Sequence, residues 1–315
     1  MITTALAILV GLALLSIGAE ALVRGSAALA LRLGITPLVV GLTVVAFGTS
    51  SPELVVSVKA SLDDNGAIAL GNVVGSNICN IALILGVAAL IKPVRIEAQV
   101  IRREIPVLIF ASILLWAMLA GGELQRWMGL LLTVGLVAYI AFSYGGARAE
   151  KNEAVRDEFA EALPAPEARR AWVDVLFVLV GLAMLLFGAN LFVDGAVAVA
   201  ERFGVSQAVI GLTIVAVGTS LPELATSIVA AFKGEGDIAV GNAVGSSIFN
   251  ILCILGVAAL IRPMATTGIS MVDLAVMTAC AVLVMPMMRS GFCLNRWEGI
   301  FLLAVYVGYL YYVIP

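Results

Sequence analysis

The chain has 315 residues, of which 62% are hydrophobic and 12% charged, and its mean hydropathy is +1.11. A soluble globular domain is apolar over roughly half of its residues, so this composition indicates a polytopic membrane protein. The net charge of -3 offers no basic surface for nucleic acid, and the absence of histidine excludes imidazole relays, His-ligated zinc and Ser–His or Cys–His nucleophiles.

Stretches of roughly 20 apolar residues, long enough to cross a bilayer, recur along the chain and predict ten transmembrane helices. No positive segment precedes the first stretch and no signal-like cleavage site follows it, so we expect a retained span and not a secretory signal. The approximate limits of the spans are 3–23, 36–60, 67–91, 104–121, 126–145, 173–193, 206–230, 237–261, 270–288 and 297–314.

A single sizeable polar segment separates the first five spans from the last five. It mixes Arg and Glu with Pro164 and Pro166, which is typical of a linker or a short surface helix. The expected organisation is a first five-helix repeat in 1–146, a cytoplasmic linker in 147–171 and a second five-helix repeat in 172–315.

Lys and Arg are distributed unequally between alternate connections, and the positive-inside rule assigns the richer face to the cytoplasm. The poorer face has only Lys59, Arg126, Arg202 and Arg262 of the 18 basic residues, which places both termini outside. Because five is an odd number of spans, the second half enters the membrane from the opposite side. The two halves are therefore predicted to be inverted repeats, related by a pseudo-two-fold axis in the membrane plane.

Two motifs occur once in each half at one constant spacing. The segment GLTVVAFGTSSPE at 41–53 returns as GLTIVAVGTSLPE at 211–223, and GNVVGSNICN at 71–80 returns as GNAVGSSIFN at 241–250. The pseudo-two-fold axis should bring these four segments together near the bilayer midplane. Glu53 and Glu223 should then face one another, as should Asn80 and Asn250.

The first motif of each half carries helix-breaking residues just before its carboxylate. Glycine weakens the helix, Thr-Ser pairs favour caps, and proline suits the first turn of a restarted helix. These residues predict a break in spans two and seven, and the fold predicted for this all-α polytopic membrane protein has broken helices at spans two, three, seven and eight. The breaking residues are Gly48, Thr49, Ser50 and Pro52 in the first half and Gly218, Thr219, Ser220 and Pro222 in the second.

Oxygen atoms predominate among the polar groups of these segments. Carbonyls freed by a break need a cavity or a ligand, and together with the Thr and Ser hydroxyls they are hard ligands suited to sodium and calcium. Ser76 and Asn80 stand four residues apart on one helical face, and Ser246 and Asn250 repeat that face. The glycines at 71, 75, 241 and 245 should allow close approach of crossing helices.

Structural explanations stand beside this interpretation. The spacing from Ser50 to Glu53, repeated from Ser220 to Glu223, is also that of a local capping box. Asn80 and Asn250 are also compatible with interhelical hydrogen bonds that only hold the bundle together. An uncompensated charge at membrane depth costs a few kcal/mol or more, however, which favours a cation site for the two carboxylates.

At these residues the sequence resembles the cation/calcium exchanger superfamily, most closely the compact bacterial and archaeal sodium/calcium exchangers of the YrbG-like type. The resemblance covers both halves and implies direct binding of calcium by Glu53 and Glu223. It implies further ligands for calcium and sodium from the side chains of Ser50, Ser220, Thr49, Thr219, Ser76, Ser246, Asn80 and Asn250 and the carbonyls of Ala46 and Ala216.

The same resemblance implies exchange of three sodium ions for one calcium, with the first and sixth spans sliding across the remaining bundle. It implies a prokaryotic cytoplasmic (inner) membrane location, no cofactor, and no partner other than the two ions and the lipid bilayer. Some prokaryotic relatives and the potassium-dependent exchangers have Asp where this chain has Asn250. The central site here should therefore hold two ionisable groups, which argues against potassium co-transport.

The predicted function is secondary active antiport, because a site with two carboxylates is tolerable in a dry intermediate only when cations neutralise it. Three alternatives remain open. A proton/calcium antiporter would use the same scaffold, a passive cation channel would conduct without a counter-ion, and an intramembrane enzyme would use the carboxylates as acid and base. The enzyme lacks an accompanying nucleophile or loop domain.

Overall fold

The computed structural model describes residues 2–33, 37–149, 171–203, 216–266 and 269–313, which are almost entirely helical. The first half contains α1 (Ile2–Leu33), α2 (Pro37–Val40), π1 (Gly41–Val45), α3 (Ala46–Thr49), α4 (Ser51–Leu62), α5 (Gly66–Ile78), π2 (Cys79–Ile84), α6 (Leu85–Ile91), β1 (Val94–Arg95), π3 (Val100–Glu104), α7 (Ile105–Leu119), β2 (Glu123–Leu124) and α8 (Arg126–Ala149).

The second half repeats this order where it is described. It contains α9 (Ala171–Arg202), α10 (Ala216–Thr219), α11 (Leu221–Lys233), α12 (Gly236–Phe249), π4 (Asn250–Leu255), α13 (Gly256–Ile261), β3 (Met264–Ala265), α14 (Met271–Arg289), β4 (Cys293–Leu294) and α15 (Arg296–Val313). The expected linker falls mostly on 150–170, outside the described residues.

Six helices are long and apolar enough to cross a membrane, and a bent pair of helices adds a seventh candidate within the described ranges. Spans three and eight, at Gly66–Ile91 and Gly236–Ile261, have 72% and 78% of their most apolar stretch buried. The corresponding shares for α1 and α9 are 33% and 28%. Spans three and eight therefore form the centre of the bundle, and α1 and α9 lie at its periphery.

The expected interruptions of spans three and eight are wrong. Gly66–Ile91 and Gly236–Ile261 are each a continuous helix of 26 residues. Each contains a π-helical segment, beginning at Cys79 or Asn250, in which the helix widens without ending. The physical reason is that neither segment contains proline, so every residue keeps the amide that a helix requires.

Span two is bent at the predicted position. The helices on either side of Ser50, Leu38–Thr49 and Ser51–Leu62, meet at 47°. Ser220 has nearly the same backbone angles in the second half, with φ -88° and ψ 8° against -80° and 8° at Ser50. The part of span seven before Ala216 lies outside the described residues.

Helices α1 and α9 each have 32 residues, more than the predicted 3–23 and 173–193. At 1.5 Å per residue each is about 48 Å long, against a hydrocarbon core of about 30 Å, so both must tilt or extend beyond it. They pack antiparallel, because Gly11 approaches Gly188 while Gly25 approaches Asp174. Glycines seven residues apart line both contact faces, and this spacing brings the two backbones together.

Short strands connect loops that are far apart in the sequence. β1 pairs with β4 at one end of the bundle, and β2 pairs with β3 in a separate sheet. Each pairing joins a connection of the first half to a connection of the second half. Arg262, which lies two residues before β3, forms a further ion pair with Asp64 of the first half.

A carboxylate–tyrosine hydrogen bond occurs in both halves. The hydroxyl of Tyr139 on α8 donates to Oε2 of Glu104 at 2.7 Å, and both side chains are buried. Tyr309 on α15 donates to Oδ1 of Asp273 at 3.0 Å, in a part-buried position. The repeat therefore preserves an interaction between its fourth and fifth spans that the sequence analysis missed.

The close packing of α1 against α9 predicts that Gly181→Ala destabilises the protein. A Cβ on Gly181 would lie 2.6 Å from the backbone nitrogen of Leu22, and a backbone atom can move aside only if the helices separate. We expect a loss of about 1 to 3 kcal/mol in the free energy of unfolding, the usual cost of overpacking. Thermal unfolding of the purified protein in detergent measures it.

The matched control is Gly308→Ala on α15, because no described atom lies within 4 Å of the Cβ position at Gly308. Replacing a helical glycine by alanine at an open site should be neutral or stabilise by up to about 1 kcal/mol. Equal unfolding temperatures for the two variants would contradict the packing assigned to α1 and α9.

Candidate cation-binding site

The two predicted carboxylates lie in the buried centre of the structure. Glu53 is in the first turn of α4 and Glu223 in the first turn of α11, and each is 1% exposed. Their position at helix N-termini is favourable, because the positive end of the helix dipole stabilises a negative group there. No ion pair to either carboxylate is present within the described ranges.

Hydrogen bonds across the two halves link these carboxylates. The hydroxyl of Ser50 donates to Oε1 of Glu223 at 2.9 Å, and the hydroxyl of Ser220 donates to Oε1 of Glu53 at 3.1 Å. Neither serine caps its own helix through its side chain. The local capping-box explanation is therefore wrong, because each hydroxyl is used by the opposite half.

Four oxygen atoms in this region have no hydrogen-bond donor in the part of the chain that the structure describes. They come in two equivalent pairs, one from the carboxylates and one from the amides of spans three and eight. They are Oε2 of Glu53, Oε2 of Glu223, Oδ1 of Asn80 and Oδ1 of Asn250. A buried acceptor without a donor destabilises the folded protein. A cation bound by these oxygens would remove that cost.

The amide of Asn250 is oriented by a residue of the other half. Its Nδ2 donates to Oδ1 of Asn77 at 3.1 Å, and Nδ2 of Asn77 donates to the carbonyl of Ser247 at 3.1 Å. This arrangement directs the donor side of Asn250 to Asn77 and leaves the oxygen free. The repeat is not symmetric here, because serine occupies position 247, which is equivalent to Asn77.

Two further asparagines fix the backbone beside the carboxylates. Nδ2 of Asn72 donates to the carbonyl of Glu53 and to Oγ of Ser57, at 3.2 and 3.0 Å. Nδ2 of Asn242 makes the equivalent bonds to the carbonyl of Glu223 and to Ser227, both at 3.2 Å. Spans three and eight thus hold the start of α4 and α11 in place.

The remaining predicted residues surround the same centre. The hydroxyl of Thr49 lies 3.0 Å from Oδ1 of Asn242, and Thr219 is close enough to interact with the Glu53 carboxylate. The hydroxyl of Ser76 is 3.4 Å from that of Ser220. Ser246 donates to the carbonyl of Ala46 at 3.5 Å.

The carbonyl of Ala46 also accepts the amide of Ser50 at 3.0 Å. Because this carbonyl already accepts a hydrogen bond within the bent span, it has less capacity to bind a cation than the sequence predicted. Ala216 begins α10, and the amide of Ser220 bonds to the carbonyl of Val217 at 3.1 Å. The two halves thus differ in the hydrogen bonding just before the bend.

The predicted close approach of glycines is confirmed for span eight. A Cβ on Gly245 would lie 2.7 Å from Cα of Leu42, and one on Gly241 would lie 2.9 Å from the carbonyl oxygen of Leu38. No described atom lies within 4 Å of a Cβ placed on Gly75. A Cβ placed on Gly71 would make one ordinary contact, at 3.6 Å. The segment of span seven equivalent to Leu38–Leu42 falls outside the described ranges.

Besides Asn77, four positions of this site were not predicted from the sequence, Asn72, Asn242, Ser57 and Ser227. All four recur at the constant spacing of the repeat, and the two asparagines lie inside the quoted motifs. Recurrence of a polar residue in an apolar span was thus a sufficient signal. Asn77 has no such signal, because its counterpart is serine.

The sequence matches the family described as sodium/calcium exchanger protein over residues 3–145 and 173–314. It is 40% identical to the putative antiporter CaxA of Alkalimonas amylolytica, over 99% of this chain and 98% of that relative. It is 41% identical to the inner membrane protein YrbG of Escherichia coli strain K12, over 84% of this chain and 81% of YrbG.

Archaeal and structural relatives give the same result. The chain is 33% identical to the sodium/calcium exchanger MaX1 of Methanosarcina acetivorans, over 97% of both proteins. Its fold matches the solved structure of the sodium-calcium exchanger NCX_Mj with a TM-score of 0.83 and 32% identity, over 97% of each chain. The resemblance found in the paired motifs is thereby confirmed, and the chain is a membrane protein of the sodium/calcium exchanger family.

Proposed function

We propose that this protein is a secondary active antiporter that exchanges calcium for sodium by alternating access. Glu53 and Glu223 bind calcium directly, and Asn80 and Asn250 contribute amide oxygens. The other ligands of the calcium and sodium positions are Ser50, Ser220, Thr49, Thr219, Ser76, Ser246 and the carbonyls of Ala46 and Ala216.

The observation that carries this proposal is the set of four buried oxygens without donors, on Glu53, Glu223, Asn80 and Asn250. Calcium takes about six to eight oxygen ligands and accepts carboxylate, amide, carbonyl and hydroxyl oxygens together. The hydroxyls of Ser50 and Ser220, each bonded to the opposite carboxylate, supply further oxygens in the same region.

The charge of the site supports exchange and not simple conduction. When both carboxylates are ionised they carry two negative charges, and burial of each uncompensated charge costs several kcal/mol. One calcium ion or more than one sodium ion removes this cost, so loaded states can pass through a closed intermediate. The empty site cannot do so readily, which couples the flux of one ion to that of the other.

The proposed topology has ten spans in two inverted repeats, 1–146 and 172–315, joined by a cytoplasmic linker at 147–171. Spans two and seven are broken, whereas spans three and eight are continuous. The strand pairs support this number of spans, since β1 and β4 belong to connections that it places on one and the same side, the cytoplasmic one. β2 and β3 belong to connections assigned to the outer side.

The proposed location is the cytoplasmic membrane of a prokaryote, with both termini outside. One relative, YrbG, is described as an inner membrane protein. The excess of Lys and Arg on one set of connections supports the orientation of the termini. We propose calcium, sodium and the bilayer as the only partners, without a cofactor or enzymatic activity.

Sodium-driven calcium uptake tests the proposed function. Proteoliposomes loaded with sodium and diluted into sodium-free medium should accumulate radiolabelled calcium well above protein-free liposomes, because outward sodium flow drives the exchange. Vesicles loaded with potassium are the control and should stay at background. Uptake driven by a pH gradient without sodium would instead identify proton coupling, and flux without any counter-ion would identify a channel.

Removing either charge at the site should abolish transport. Glu53→Gln and Glu223→Gln each replace a carboxylate oxygen by an amide that cannot neutralise calcium, so uptake should fall to background. Glu123→Gln is the matched control, because Glu123 is an exposed carboxylate in β2. Gel filtration and thermal unfolding verify that the variants fold. Near-normal calcium uptake by both site variants would contradict the assignment of Glu53 and Glu223 as calcium ligands.

The crosswise hydrogen bonds predict a large difference between two adjacent serines. Ser50→Ala removes the donor to Glu223, and a hydrogen bond to a charged group contributes about 1.5 to 3 kcal/mol, or about 10-fold to 150-fold in affinity. The KM for calcium should rise by an amount of that order. Ser51→Ala should change it little, because the hydroxyl of Ser51 donates to the carbonyl of Phe47 in α3, four residues earlier, and not to a carboxylate.

Ser220→Ala should have an effect similar to that of Ser50→Ala, because the hydroxyl of Ser220 donates to Glu53 in the equivalent way. A KM unchanged in both variants, measured with kcat in the same uptake assay, would show that the cross-half hydrogen bonds do not shape the ion site.

A further inference from the structure

A cavity lies away from the carboxylates, between the beginning of span four and the end of span nine. Its volume is about 260 Å³, and it is lined by Ile101, Arg102, Pro106, Met285, Arg289 and Phe292. Arg102 lies in π3, and Arg289 is the last residue of α14. The amide of Ile96 donates to the carbonyl of Phe292 at 2.9 Å and, with the β1–β4 pair, holds the loops around the cavity together.

Two guanidinium groups line this cavity, and none of the described residues that line it carries a negative charge. Arg102 and Arg289 are exposed, and neither has a hydrogen bond or an ion pair with any residue that the structure describes. The neighbouring Arg103 differs, since its guanidinium lies 5.8 Å from the ring centroid of Phe142. Two unpaired guanidinium groups beside one cavity form a site for a phosphate, because their planar donors match its oxygens in pairs.

The rest of the lining is apolar and continues onto the outer surface of the bundle. Pro106 is followed one turn later on α7 by Phe110, which is 67% exposed. On α14, Val282 is 45% exposed and lies one turn before Met285. Exposed apolar side chains on a membrane helix face lipid, so an acyl chain can run from the cavity along these helices.

We propose that this cavity binds an anionic phospholipid, with Arg102 and Arg289 on its headgroup phosphate and an acyl chain along Pro106 and Met285. The proposal depends on the proposed membrane topology, which places the cavity at the cytoplasmic surface, but not on ion exchange. Basic pockets between helices on that side are suited to anionic headgroups. The apolar lining favours a lipid over free phosphate, which has no chain to bury.

Native mass spectrometry of the purified protein tests this site. Phosphatidylglycerol titrated into the detergent solution should bind in preference to phosphatidylcholine. Arg102→Gln combined with Arg289→Gln should weaken the first phosphatidylglycerol bound by about tenfold or more, since each arginine near an anionic lipid contributes about 1 kcal/mol. Binding by this double variant equal to that of the unmodified protein would overturn the proposal.

The matched control is Lys92→Gln combined with Arg95→Gln. It removes the same charge from exposed residues on the same end of the bundle that do not line the cavity. This control should retain tight binding of the first phosphatidylglycerol. If this control lost as much phosphatidylglycerol binding as the double arginine variant, the effect would be one of general charge and the proposed site would be wrong.

A second variant keeps both arginines and fills the cavity. Met285→Trp should also weaken phosphatidylglycerol binding, with a thermal unfolding scan to verify its fold, and unchanged binding would contradict the acyl-chain path. Inorganic phosphate at the same concentration should not displace the lipid, and displacement would assign the site to a free anion. These experiments measure lipid binding and not ion transport, so a negative result for the lipid site is distinguishable from a negative result for calcium exchange.

Discussion

The central constraint on this structure is a pair of buried carboxylates that share one site without a basic residue to neutralise them in the described part of the chain. Each carboxylate accepts a hydrogen bond from the serine of the opposite half, at 2.9 and 3.1 Å. This exchange of donors needs both halves at once, so neither half can complete the site alone. The second oxygen of each carboxylate has no donor among the described residues, and the cost of an uncompensated charge at membrane depth is the reason for proposing a cation there.

The surrounding helices can be understood as the support for that pair. Spans three and eight are the most buried helices, and Asn72 and Asn242 hold the carbonyls of Glu53 and Glu223. The π-helical segments begin at or beside Asn80 and Asn250, where widening of the helix changes the direction of the following side chains. Helices α1 and α9 are peripheral and approach each other closely at their glycines, beside a buried cluster of apolar side chains that includes Leu22 and Leu185.

The two halves are similar but not identical, and the differences lie at the site. Asn77 accepts a hydrogen bond from Asn250, whereas serine occupies the equivalent position 247 and bonds within its own helix. The amide of Ser50 bonds to the fourth residue before it, and the amide of Ser220 bonds to the third. The proposed antiporter has to bind two kinds of ion and open to two sides, so strict symmetry of the candidate site is not required.

The sequence by itself determined the membrane class, the duplication and the two carboxylates, because a polar residue repeated inside an apolar span is a local signal that needs no knowledge of contacts. It also located the bend at Ser50, since glycine and proline act on the backbone of their own helix. Only the tertiary structure decided that Ser50 serves Glu223 and not Glu53. It likewise identified Asn77 and the partner of each glycine along α1. These features depend on residues more than a hundred positions apart, and side-chain spacing within one helix carries no information about them.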